Sequence, residues 1–155
     1  MANKDTFTPT EWDQLRQAPF MAGLVIVAAS PSGPIGLLKE SAAAGRMVME
    51  EIRNHSSELM KALAADLGQS MHAVRMESKD PAEIRRLSLE ACRRAAAIAA
   101  EKASAEEVSQ FKAWLNALAR KVAEAAKEGG FLGFGGTLVS EQEEAALQDL
   151  AAALS

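Results

Sequence analysis

Four times in 155 residues the chain spells out the start of a helix. Thr8-Pro9-Thr10-Glu11 offers a hydroxyl cap, a proline at the first helical position and a glutamate three residues past the cap. Asp80-Pro81-Ala82-Glu83 repeats that arrangement, and Ser104-Ala105-Glu106-Glu107 and Ser140-Glu141-Gln142-Glu143 are capping boxes without the proline. Each places an oxygen where the unpaired amides of a first turn need an acceptor. A chain with this many starts is committed to helices before its composition is considered. The composition agrees, because Ala occurs 32 times and Ala is the strongest helix former.

The apolar spacing runs in phase with the caps. After Ser104, Val108, Phe111, Leu115, Leu118 and Val122 recur at three- and four-residue steps and give one stripe. After Ser140, Leu147, Leu150 and Leu154 do the same. Between Asp80 and Ser104, Ile84, Leu87, Ala91, Ala95 and Ile98 mark one face. Leu89, Cys92, Ala96 and Ala100 widen it, and Arg86 and Arg93 stand opposite. So broad a face of small residues suits a helix at the centre of a bundle.

The first half is punctuated differently. Residues 9–18 read as a helix with Trp12 and Leu15 facing inward, and Pro19 is expected to break or kink it. Phe20 to Ala29 continues as a buried segment. Leu24-Val25-Ile26-Val27 could also form a strand, which with the following SPSGPIG would resemble the opening of an α/β nucleotide-binding fold. A lone strand cannot pair its backbone, and no sheet can be assembled from the remainder, so helix is the expectation. Ser30 to Gly36 is a turn, and Pro34 starts a helix running to about Arg53. Asn54 to Ser57 form a joint before a helix with Leu59, Leu63 and Leu67, which Gly68 ends.

These elements predict one all-α domain over residues 1–155, a compact bundle of five to seven helices. Helices 81–102 and 105–128 are expected at its centre and residues 1–8 to be loosely ordered. The length suffices for a core without metal or disulfide. The single cysteine, Cys92, forms no intramolecular disulfide, which fits a reducing compartment. The longest apolar run is Phe20 to Ala29, about half of the roughly 20 residues that span a bilayer. With no signal-peptide pattern in the first residues, the expectation is a cytoplasmic protein.

Composition also narrows function. The net charge of −4 argues against a general nucleic-acid binder. Aromatic residues are 5% with no Tyr, which disfavours base-stacking surfaces. No nucleophile elbow or phosphate-binding fingerprint occurs, and no cofactor is expected. Glu51 and His55 stand four apart and could share two metal ligands, and Met71, His72 and Met76 could form a soft site. Neither set has the further ligands a metal needs, so packing is the expected role and no metal is assigned. Cys92 is followed by Arg93 and Arg94, which could lower its pKa, but its helical position faces inward.

The feature that structure alone does not account for is Gly129-Gly130-Phe131-Leu132-Gly133-Phe134-Gly135-Gly136. It holds five of the ten glycines and two of the five phenylalanines. One or two glycines suffice to end the preceding helix. The remainder reads either as a plug for the end of the bundle or as an interaction loop, with Phe131, Leu132, Gly133, Phe134 and Gly135 its candidate binding residues. Phosphate binding is disfavoured, since no Lys is present and Glu141, Glu143 and Glu144 follow. The functional expectation is a non-enzymatic interaction or assembly protein that self-associates as a homodimer or engages a protein partner. Two alternatives remain open: a small-molecule-binding protein or enzyme with a pocket between residues 30–36 and 129–136, and a peripheral membrane protein using the Gly/Phe loop. The absence of basic residues after that loop weakens the membrane alternative.

Overall fold

Helix-start signals become helices where they were expected. The computed structural model describes residues 2–29, 48–69, 80–128 and 141–155. A single 3₁₀ turn, Lys4–Thr6, precedes α1, Pro9–Ala29. Residues 48–52 are helical and are called α2 here. They are followed by α3, Glu58–Gln69, α4, Pro81–Lys102, α5, Ala105–Glu128, and α6, Glu141–Leu154. No strand occurs among the described residues, and the helices pack into a multi-helix bundle.

The caps act as the sequence implies. The Thr8 amide donates to Glu11 Oε2 at 2.9 Å while the Glu11 amide donates to Thr8 Oγ1 at 3.2 Å. Ser104 and Glu107 exchange the same pair of bonds at 3.1 and 3.2 Å. Asp80 accepts the Ala82 amide at 3.1 Å, with Pro81 in the first turn. At the fourth start, α6 begins at Glu141, and its expected cap, Ser140, lies outside the described residues.

Pro19 does not end the first helix. It lies buried inside α1, which continues to Ala29, so residues 20–29 are helix and not strand. From Ala18 onward no residue of α1 is exposed and none is charged. A helix apolar on every side must be surrounded, and α1 contacts α3, α4, α5 and α6. Helices α4 and α5 sit at the centre as expected, but α1 shares it with them. Single-helix periodicity could not reveal this, because an all-apolar segment has no preferred face.

The largest helix–helix interface, α1 on α4, is built from small side chains. On α4 the fully covered positions are Ser88, Cys92, Ala95 and Ala99, with Ala96 close behind. On α1, Leu15, Ala18, Ala22 and Val25 are equally covered. The buried face of α4 is thus turned from the one the bulky residues suggested. Leu87, Ala91 and Ile98 flank it and Ala100 is exposed. Small residues take the line of closest approach because they let the two backbones come together.

Two pairs of contacts fix the directions. Lys102 Nζ meets Glu11 Oε2 at 2.7 Å, and the Cys92 thiol donates to the Ala18 carbonyl at 3.7 Å, so α4 runs antiparallel to α1. The Ala2 amide reaches Glu107 near the start of α5, and a Cβ built on Gly23 would lie 3.7 Å from Val122 Cγ2, so α5 runs parallel to α1. The remaining core is aliphatic and aromatic: Leu59, Met60 and Leu63 on α3, Phe111, Trp114, Leu115 and Leu118 on α5, and Leu150 and Leu154 on α6. Gly68 lies within the last turn of α3, one residue before its end.

At the N-terminus the Ala2 amide donates to Glu107 of α5. Ala2 is buried, and the Phe7 ring packs 5.8 Å from that of Trp12 with the Lys102 ammonium 5.9 Å above it.

Candidate functional site

The directions of the helices decide where the two unusual loops attach. As many residues separate Ala18 from Ala29 as separate Pro81 from Cys92, so the end of α1 and the start of α4 reach the same pole. Parallel to α1, and touching it at Gly23 and Val122, α5 ends at Glu128 on that pole as well. The chain therefore leaves the described bundle toward Ser30–Gly36 and toward Gly129–Gly136 from one end. Those two segments, with the candidate residues Phe131, Leu132, Gly133, Phe134 and Gly135, lie outside the described residues.

The last turns of α1 at this pole are apolar. Leu24, Val25 and Ile26 are buried, Val27, Ala28 and Ala29 are half-buried, and the last turn of α1 carries no basic residue. The start of α4 adds the exposed Asp80 and Glu83 at its rim.

Elsewhere the carboxylates join helices to one another. Asp66 on α3 accepts the Trp12 indole N–H at 2.7 Å and pairs with Arg16 Nε at 2.9 Å and Lys4 Nζ at 3.7 Å. Glu107 accepts the amides of Ala2, Leu59 and Ser104 at 3.1, 3.0 and 3.1 Å. Burial alone would raise its pKa, yet these backbone hydrogen bonds and the Ser104 hydroxyl hold it below the ordinary carboxylate value. Glu51 pairs with Lys121, whose pKa is raised chiefly by that hydrogen bond, and its other oxygen faces Asn54 Nδ2 at 3.5 Å. These constellations hold α3, α5 and the N-terminal segment together.

Glu51, four residues before His55, is engaged by Lys121. Among the described residues no group of three or more His, Cys, Asp or Glu side chains is placed to hold a metal ion. Met71, His72 and Met76 lie outside them. Cys92 is fully buried, and burial pushes its thiol up to about 12, so the neighbouring arginines do not activate it. One turn away, the buried Ser88 Oγ has no hydrogen-bond partner.

Two carboxylates of α6 also link helices. Asp149 pairs with Arg85 of α4, and Glu144 pairs with Arg120 of α5 at 3.6 Å. No described helix is long and apolar enough to cross a membrane. No protein-family model, curated protein or solved structure matches the chain.

Proposed function

We propose that the chain is an interaction or assembly protein that binds through apolar surface at the pole where α1 and α5 end, with a second copy of itself as the first partner. The observation that carries this reading is the parallel packing of α1 on α5. It brings to one pole the described helix ends, Ala29 and Glu128, that precede Ser30–Gly36 and Gly129–Gly136 in the chain. The carboxylates that could serve chemistry elsewhere, Asp66, Glu107 and Glu51, are already engaged in joining helices. Light scattering coupled to size exclusion tests the reading. The parent protein is expected to run as a dimer and the Phe131→Ser, Phe134→Ser double variant as a folded monomer. A parent that stays monomeric at high concentration overturns self-association.

The same convergence supports a second reading, a small-molecule site between residues 30–36 and 129–136. Native mass spectrometry of the purified protein distinguishes the two, because this reading requires a co-purifying small mass on each subunit and the first requires a subunit mass doubled without one. Sedimentation with anionic liposomes checks the membrane alternative.

A further inference from the structure

We draw no further inference here: the strongest candidate, the buried and unpartnered Ser88 hydroxyl one turn from Cys92 on the face of α4 that packs against α1, carries nothing because no described feature shows a ligand or a cavity that it would serve.

Discussion

The Ala2 amide donates to both carboxylate oxygens of Glu107, at 3.1 and 3.3 Å, across 105 residues of chain. The same side chain takes the Leu59 amide near the start of α3 and the Ser104 amide before α5. One carboxylate thus gathers three backbone segments, and the Ala2 and Leu59 amides would otherwise be buried unpaired.

Removing that acceptor should cost far more than an ordinary cap. For Glu107→Ala we expect a loss of about 3 kcal/mol, since several amides lose a charged partner together. Glu107→Gln keeps the shape and one acceptor oxygen and should lose about half as much. Urea melts at neutral pH give both values. A loss of under about 1 kcal/mol for the alanine variant would show that water or a rearranged segment replaces the carboxylate.

The pH dependence follows from the same bonds. Glu107 has a lower pKa folded than its ordinary 4.5, so its contribution is present above that value and is lost as the pH falls through the folded pKa. Stability should therefore fall as the pH drops below about 4.5, and Glu107→Gln should flatten part of that fall. Glu11, lowered chiefly by its bond to Lys102, titrates in the same direction and leaves a remainder in the variant. Urea midpoints measured across this range in both proteins read the difference, and parallel curves would remove Glu107 from the account.

Close packing of α1 on α4 makes a further prediction. Ala95 is fully buried, whereas Ala97, two residues on, is exposed. Ala95→Leu must push the helices apart and should cost about 1–3 kcal/mol. Ala97→Leu keeps a strong helix former in water and should change stability by less than about 0.5 kcal/mol. Thermal melts of the pair decide it, and equal effects would contradict the close approach of these two helices.

Much of this bundle is legible in the sequence because its signals are local. A cap and its helix, or Phe111, Leu115 and Leu118 on one stripe, depend on residues three or four apart, and the structure places them as expected. The exceptions are contacts between distant parts of the chain. Glu107 is recognisable as a capping glutamate for Ser104, but its bonds to Ala2 and Leu59 leave no trace in its own neighbourhood. On α4 the bulky Leu87 and Ile98 point to one face, while the packed partner selects the small residues between them. Pro19 signals a helix break locally, but a proline inside a long buried helix is tolerated when surrounding packing outweighs the lost hydrogen bond. At the candidate site, the sequence supplies the residue types and the described helices supply the pole they attach to.

Ser88 offers a substitution expected to stabilise. Its hydroxyl is fully covered and makes no hydrogen bond, so the folded state bears a desolvation cost that alanine removes. Ser88→Ala also improves helix propensity and leaves a gap of only one oxygen. The net gain should be about 1 kcal/mol, visible as a higher urea midpoint with an unchanged slope. A loss of stability would mean that the hydroxyl has a partner in solution.

Cys92 should behave as a reporter of opening, with no reactivity of its own. Its thiol is fully buried between α4 and α1 and is raised to about 12, so almost none is thiolate at neutral pH. Labelling by a thiol-specific reagent then requires the α1–α4 interface to separate. In mild urea the rate should rise in step with the population of open molecules. Ala95→Leu, which strains that interface, should speed labelling by the factor that its stability loss predicts, about tenfold for each 1.4 kcal/mol. Rapid labelling of the native parent, unaffected by urea or by Ala95→Leu, would show that the two helices part far more easily than their small-residue packing implies.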